Sequence, residues 1–433
     1  MFHEMLYSPP SLYMKKVLKL ITKNAFVQGS FLLVASNFVV GFMNYLFNIF
    51  VGRALGPVGY SEIATLFSYL VIATIPFGVI SLLLIQKLGD AQEPKKYAAM
   101  VHLWLMQKLQ RYWYVVVLFF FITPALPSFT NLKPVVAYSL PILIFLSFFI
   151  AYYSGALQGL HEFLWYAGIL VIATLIKLIG GIMVFANVGD LSTIIICIVF
   201  SFVFTVLLNE LFLAKNIYHM FNAVRISSKR LRSFLRDTQM WLTIGTSGTM
   251  VLLNNVDIIY VKKVFDAEQA GIYGSWALFA KIILYVFGPL LTISYIFFAN
   301  KKQQRYHVFT FVVSFVLLIV IGIGLYISYA TFGNLLVNML FGEKFAMVVP
   351  HMIWAALFGV GYITMSFMNG YFLARKSKVA LIPTMLFPGY ILGLLLYPHT
   401  VRQIMHVDTI FTFACIITFF LVFCKEQLIK REE

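Results

Sequence analysis

Two lysines stand inside long apolar runs of this sequence, where an ammonium group has few reasons to be. Lys177 lies within residues 163–186 and Lys281 lies within residues 268–298. A charge at the bilayer centre costs about 2.5–3.5 kcal/mol on insertion scales, so each lysine needs water or a partner. A lysine in a hydrated site can hold a phosphate as a point charge. We therefore predict that both lysines line a hydrated cavity, with snorkelling of the long side chain to the interface as the alternative.

Amides and small polar residues recur at helical spacing in the same kind of run. Asn37, Gly41, Asn44 and Asn48 share one face of a predicted helix, and the second half repeats the pattern with Thr243, Ser247, Asn254 and Asp257. Hydrogen bonds between helices would explain such stripes in any membrane bundle. Because the equivalent first helix of each half carries a stripe, we predict that Asn44, Asn48 and Asn254 contribute to the cavity.

Three further charges fall near the predicted ends of spans. Arg53, Glu62 and Asp257 are candidates for gating the outer face or for binding a coupling cation, either a proton or sodium. The alternative is that Glu62 and Asp257 form structural ion pairs with Arg53 or Lys262. We expect Arg53 to have a structural or gating role at the outer mouth.

The composition sets the class of protein in which these residues must act. Of the 433 residues, 61% are hydrophobic and 11% are charged, and the mean hydropathy is +0.90. Soluble domains carry about 25% charged residues. Long unbroken apolar runs exclude the alternating pattern of a membrane barrel, so we predict an all-α integral membrane protein. The net charge of +16 is then interpreted as topology signals and contacts with lipid headgroups rather than nucleic-acid binding.

Twelve transmembrane spans are predicted. They cover residues 25–50, 60–85, 112–130, 135–158, 163–186, 191–214, 238–262, 268–298, 306–330, 346–372, 379–397 and 407–426. If the N-terminus is cytoplasmic, 24 of the 32 Lys and Arg residues fall in inner segments and 6 fall in outer loops. This bias predicts a multi-pass protein of the cytoplasmic (inner) membrane with both termini in the cytoplasm.

The spans divide into two similar halves. We predict a cytoplasmic basic leader (1–24), an N-terminal six-helix lobe (25–214), a basic linker (215–237), a C-terminal six-helix lobe (238–426) and a cytoplasmic tail (427–433). With a shift of 212 residues, "VGYSEIATLF" aligns with "AGIYGSWALF" at the same place in each half. Parallel repeats of this kind are typical of transporters that rock two lobes around a shared cavity.

No catalytic signature accompanies these features. The sequence lacks GxxxxGK[ST], HExxH and GxSxG motifs, and all predicted outer loops are short. Its three cysteines, Cys197, Cys415 and Cys424, have no metal-binding spacing. We therefore expect neither an enzyme nor a cofactor, apart from a possible coupling cation.

Four segments carry a resemblance to a known family. "VGRALGPVGYSEIATL", "SGALQGLHEF", "NNVDIIYVKKVFDAEQAGIYGSWALFAK" and "NGYFLARKSK" resemble motifs of the polysaccharide-biosynthesis proteins. These are the oligosaccharide-flippase branch of the multidrug/oligosaccharidyl-lipid/polysaccharide exporter superfamily. Ser61 replaces the last glycine of the family's "GYG" element.

The resemblance implies twelve helices in two lobes and transport of a lipid-linked oligosaccharide across the membrane. Its implied partners are the lipid-linked glycan, membrane lipids and other polysaccharide-assembly proteins, with no nucleic acid. Three alternatives stay open: a cation-coupled multidrug exporter, a peptidoglycan lipid-precursor flippase and a membrane glycosyltransferase or polymerase.

Overall fold

The computed structural model describes residues 25–217, 238–299, 306–397 and 399–432. The predicted leader (1–24), residues 218–237 of the predicted linker and the last residue of the predicted tail lie outside these ranges. All regular elements within them are helices.

The first half of the chain contributes eight helices. They are α1 (Ala25–Ala73), α2 (Ile75–Gly89), α3 (Pro94–Arg111), α4 (Trp113–Phe121), α5 (Leu126–Thr130), α6 (Pro134–Gly159), α7 (Phe163–Phe185) and α8 (Leu191–Asn216).

The second half contributes seven helices. They are α9 (Thr238–Leu253), α10 (Val256–Val264), α11 (Ala267–Ala299), α12 (His307–Leu340), α13 (Met352–Ala374), α14 (Ile382–Leu396) and α15 (Val401–Glu432). Short 3₁₀ turns precede α13 (Glu343–His351) and α14 (Lys378–Leu381).

Helix α1 is a hairpin of two helical arms rather than one rod. Gly56 has φ 65° and ψ −174°, a conformation that glycine adopts readily, and Pro57 follows it. Phe47 and Phe67 would be about 30 Å apart along a continuous helix. Their ring centroids are 6.1 Å apart. The chain therefore reverses at Gly56, as the two predicted spans on either side of it require.

Ten described helices are long and apolar enough to span a membrane. The α1 hairpin supplies two crossings, and the shorter α9 and α10 together supply one more. The described residues thus give the predicted total of twelve crossings in two lobes.

Two predicted spans differ from the helices observed. The span predicted at 60–85 is interrupted at Thr74, because Pro76 starts a new helix within the first turn of α2. The span predicted at 238–262 is interrupted at Asn254 and Asn255, which form a turn between α9 and α10. Two other spans are longer than predicted: α12 continues to Leu340, and α15 begins at Val401.

Helix α4, which begins the third span, packs only loosely against its own lobe. No residue of α4 is buried, and Phe121 of this helix is 75% exposed. Pro124 and Pro127 lie within this span, where they start a 3₁₀ turn and the short helix α5. The span is therefore a chain of short helices at the edge of the N-terminal lobe.

The two repeat segments found in the sequence pack against each other at the centre of the molecule. A Cβ atom at Gly271 would lie 1.9 Å from the Pro57 carbonyl oxygen, so only glycine permits this approach. One turn further on, a Cβ at Gly274 would lie 3.2 Å from Ala64. The second arm of α1 and the start of α11 thus form the seam between the lobes.

Candidate functional site

A polar cavity of about 310 Å³ lies between the two lobes, beside this seam. Lys177 and Lys281 both line it, one from each lobe. The remaining lining residues come from α1, the α9–α10 turn, α10 and α11: Gly41, Asn44, Asn48, Tyr60, Ala64, Phe67, Ser68, Val71, Asn255, Ile258, Gly274 and Leu278. Among the residues that the structure describes, the lysines are the only charged members of this lining.

Lys177 is held on one side by an amide and on the other by aromatic rings. Its Nζ donates a hydrogen bond to Oδ1 of Asn44. The same Nζ lies 5.0 Å from the ring centroids of Phe47 and Phe67. Cation–π contacts of this length stabilise an ammonium group away from bulk water. The side chain thus points into the cavity rather than snorkelling to the interface.

Lys281 makes the corresponding contact in the second lobe. Its Nζ lies 3.4 Å from Oδ1 of Asn255, and Nδ2 of the same amide donates to the Val251 carbonyl at 2.8 Å. Asn254 was predicted to line the cavity, but its neighbour Asn255 takes that position in the structure. The helix breaks at these two residues, so the helical spacing that placed Asn254 on the cavity face does not continue through them.

Asn48 lines the cavity as predicted, and Tyr60 contributes beside it. The Tyr60 hydroxyl donates to Asn48 Oδ1 at 3.2 Å, across the two arms of the α1 hairpin. Asn48 Nδ2 donates to the Asn44 carbonyl at 2.8 Å. These bonds join the two arms of the α1 hairpin beside Asn44, whose side chain accepts from Lys177.

A second cavity of about 510 Å³ extends from Lys177 into the N-terminal lobe. It shares Asn44, Phe67, Val71 and Lys177 with the first cavity. Hydroxyl groups are spread over its largely apolar walls, from Thr74, Ser147, Thr174, Ser201 and Thr205. Lys177 therefore stands where the two spaces meet.

Glu62 and Lys262 form a buried ion pair between the lobes. Lys262 Nζ lies 2.7 Å from Glu62 Oε1 and donates to Ser61 Oγ at 2.9 Å, and each charged side chain is 4% exposed. The backbone N–H of Lys133 donates to Glu62 Oε2 at 2.8 Å. Both charges are thus paired and hydrogen-bonded, as burial requires.

Arg53 reaches the opposite lobe instead of pairing with an acid. Its guanidinium donates to the carbonyls of Leu340 (3.0 Å), Asn338 (3.2 Å) and Met339. These carbonyls belong to the last turn of α12, where a cation is favourable. Arg53, the Glu62–Lys262 pair and the Pro57–Gly271 approach are together called the joint. They lie at the end of the cavity that the charge bias predicts to be outside.

Asp257 belongs to a buried network in the second lobe that sequence reasoning missed. The Tyr273 hydroxyl lies 2.6 Å from Oδ2 of both Asp257 and Asp408, and the Tyr390 hydroxyl donates to Asp408 Oδ1 at 2.7 Å. Both aspartates are 1% exposed. Asp408 lies near the start of a long apolar run, and a charge in that position could have indicated a buried functional group.

The protons of this network can be counted. A phenol has one hydrogen and can donate to only one of two carboxylates. The other 2.6 Å contact of Tyr273 then needs a proton on the second aspartate, which donates to the phenol oxygen. The described residues offer no partner to the other oxygen of Asp257, Oδ1. In this geometry the two carboxyl groups share one proton and carry a net charge of −1. Asp257 also interacts electrostatically with Lys281.

These observations define a multi-pass helical membrane protein with two pseudo-symmetric lobes around a central polar cavity. No protein-family profile and no curated relative matches this sequence.

Solved transporters share this fold. The structure described as "Lipid II flippase MurJ, inward closed conformation" has a TM-score of 0.66 at 15% identity, over 92% of this chain and 87% of that chain. An inward-facing multidrug resistance MATE family transporter of the MOP superfamily has a TM-score of 0.63 at 11% identity, over 88% and 93%. The eukaryotic MATE transporter AtDTX14 has a TM-score of 0.60 at 16% identity, over 93% and 96%. The chain thus has the fold of MOP-superfamily transporters.

Proposed function

We propose that this protein is a flippase that moves a lipid-linked oligosaccharide across the cytoplasmic membrane by alternating access, for cell-surface polysaccharide synthesis. The observation that carries the proposal is the lining of the central cavity, in which two lysines are the only charges that the described part of the chain supplies. An isoprenoid pyrophosphate linked to sugars has an anionic head that hydrocarbon excludes. The lysines supply charge to the pyrophosphate, and the amides supply hydrogen bonds to sugar hydroxyls.

The same lining argues against the cation-coupled multidrug exporter. A cavity that selects cationic drugs needs acidic side chains, whereas like charges repel a cation by several kcal/mol at close range. The peptidoglycan lipid-precursor flippase is the second candidate. Its substrate carries the same pyrophosphate, and the fold similarity to MurJ favours it as much as it favours the first proposal.

Transport by the reconstituted full-length chain tests the proposal. Vesicles receive a fluorescent lipid-linked oligosaccharide, a fluorescent peptidoglycan lipid precursor or a cationic dye, and the share of label that becomes accessible on the opposite side is measured. We expect transport of the oligosaccharide alone. Transport of the peptidoglycan precursor alone would select the second candidate, and transport of the dye alone would overturn both.

We propose that the Asp257–Asp408 pair couples transport to a cation gradient. The contacts of Tyr273 place one proton on the pair, and Asp257 acts on Lys281 electrostatically. Exchange of that proton would change the charge of the pair and so alter substrate affinity in the cavity. A sodium ion could replace the proton between the same oxygens. In either case the cation and the substrate bias each other reciprocally.

The Asp408→Asn variant tests this coupling. Asparagine keeps the shape and the contacts with tyrosine but cannot exchange a proton. We expect gradient-driven transport to fall by a factor within the range of roughly 5–150 that coupling free energies ordinarily span. Passive exchange of label at zero gradient should change little. The exposed Asp90→Asn variant serves as the control, and an unchanged response of Asp408→Asn to both proton and sodium gradients would remove the coupling role.

The Arg53→Ala variant tests whether Arg53 has a gating role at the joint. It removes three hydrogen bonds from a charged donor to the end of α12, each worth about 1.5–3 kcal/mol at most when buried. Because Arg53 is only partly buried, water replaces some of this loss. We expect a moderate rise in labelling of a cysteine placed at the joint, with the thermal midpoint nearly unchanged. If labelling and transport both stay at the wild-type level, Arg53 has no gating role.

A further inference from the structure

An apolar groove of about 450 Å³ lies on the outer flank of the N-terminal lobe, away from the central cavity. Its walls come from α2, α3, the first turn of α4 and α6, and its volume is within the range of roughly 300–1,000 Å³ of ligand sites. It is the space that remains because α4 stands off from the lobe. In a membrane such a space is filled by hydrocarbon, since water would find almost no polar wall there.

The mouth of the groove combines basic and aromatic side chains. Lys87 and Lys108 both line it, together with Tyr97, Trp104 and Tyr112. Lys108 Nζ lies 5.9 Å from the Trp104 ring centroid and 5.6 Å from that of Tyr112. Tyrosine and tryptophan mark the headgroup level of a bilayer, and lysines there attract anionic lipid. The chemistry of the mouth is therefore that of a phosphate-bearing headgroup.

Helix α3, which carries most of this mouth, is fixed to the lobe rather than resting freely on the membrane. His102 Nε2 lies 3.3 Å from Glu210 Oε1, and the Tyr153 hydroxyl donates to Glu210 Oε2 at 2.6 Å. Leu105 is buried in a second hydrophobic core of the N-terminal lobe, where α3 packs against α2, α6 and α8. One face of α3 is thus docked on the protein, while its neighbouring face holds the groove open.

We propose that this groove binds an anionic glycerophospholipid, with one acyl chain between α4 and the lobe and the phosphate beside Lys87 and Lys108. The bound lipid replaces the packing that α4 lacks, and so fastens the third span to its lobe. The charge bias places the mouth in the cytoplasmic leaflet. This binding does not depend on the transported substrate.

Lipid retention by the purified full-length chain tests the proposal. Native mass spectrometry counts phosphatidylglycerol and phosphatidylcholine that survive on the wild type and on a Lys87→Gln/Lys108→Gln variant. We expect preferential retention of phosphatidylglycerol by the wild type, and a loss of roughly fivefold in its affinity for each lysine removed. The exposed Lys95→Gln variant on the same helix should keep the wild-type preference.

A second pair of variants tests the apolar part without changing charge. Val116 lines the groove and its neighbour Val117 is 41% exposed outside the lining. Val116→Trp should fill the groove and abolish retention, while Val117→Trp should not.

Three outcomes would overturn the assignment. The first is equal retention of the two phospholipids by the wild type. The second is stabilisation by inorganic phosphate alone to the extent given by phosphatidylglycerol, which would show a headgroup site without a chain. The third is displacement of phosphatidylglycerol by one equivalent of undecaprenyl phosphate, which would assign the groove to the substrate's tail.

Discussion

Replacing either cavity lysine with alanine should abolish export of the lipid-linked glycan while the protein remains folded in the membrane. Truncating one member of a desolvated charge pair costs roughly 2–5 kcal/mol, which corresponds to a loss of about 30-fold or more in affinity. Lys177 should be the more sensitive position, because it stands where the two cavities meet and has both an amide and two rings to orient it. Lys281 has the single amide contact at 3.4 Å.

The variants are best measured in vesicles and in cells together. In vesicles, the initial flipping rate of the fluorescent oligosaccharide measures the loss of transport. In cells, the membrane fraction shows how much of each variant protein is present. Lys177→Arg should restore part of the rate if positive charge is what matters, and little of it if the narrow contact with Asn44 matters more. The exposed Lys215→Ala variant is the control. Wild-type rates from both Lys177→Ala and Lys281→Ala would dismiss the cavity as the substrate path.

Breaking the Glu62–Lys262 pair should shift the protein toward a conformation open at the joint. Removal of one partner from a buried ion pair costs roughly 3–5 kcal/mol, because the remaining charge is left without compensation. That cost falls on the closed conformation, in which both side chains are 4% exposed, and not on an open one in which water reaches them. A shift of this size covers more than half of the roughly 5.5 kcal/mol that separates a 1:99 from a 99:1 two-state population.

Lys262→Met is the variant of choice, with distances measured between spin labels at positions 58 and 347. Val58 and Met347 are both well exposed, so labels there should leave the packing intact. We expect the distance distribution to lengthen in Lys262→Met. It should return toward the wild type in Glu62→Met/Lys262→Met, where neither charge remains in the joint.

The control breaks an exposed pair, Lys96 and Glu93, 2.9 Å apart, whose contribution should be below about 1 kcal/mol. An unchanged distribution in Lys262→Met would show that the pair does not hold the lobes.

The architecture and the cavity lysines were accessible from the sequence for a simple reason. A charge inside an apolar run is a local signal, and Lys177 and Lys281 needed no partner to be noticed. The same holds for the turn at Gly56, since glycine followed by proline between two apolar runs marks a reversal.

The partners of these groups depend on the fold, and the sequence could not supply them. Arg53 binds backbone carbonyls nearly three hundred residues away. Every residue has such a carbonyl, so the residue types do not indicate which ones Arg53 binds. Asp257 and Asp408 meet through Tyr273 only because α15 packs beside α10. Asn255 lines the cavity in place of the predicted Asn254, because the prediction assumed one continuous helix through these residues. The sequence around them carries no strong signal for the turn that separates α9 from α10.

The joint also bears on how two copies of this protein avoid pairing wrongly. Its two sides are equivalent segments of the repeat, so a half-molecule could in principle pair with the same half of a neighbouring copy in an isologous interface. The halves have diverged at the decisive positions: under the 212-residue shift, Lys262 corresponds to Phe50 and Glu62 to Gly274. The ion pair therefore exists on one side of the pseudo-two-fold axis only. Two N-terminal halves would bury glutamates without a lysine, and two C-terminal halves would bury lysines without a glutamate. The cost of both mismatches favours pairing between the two halves of one chain.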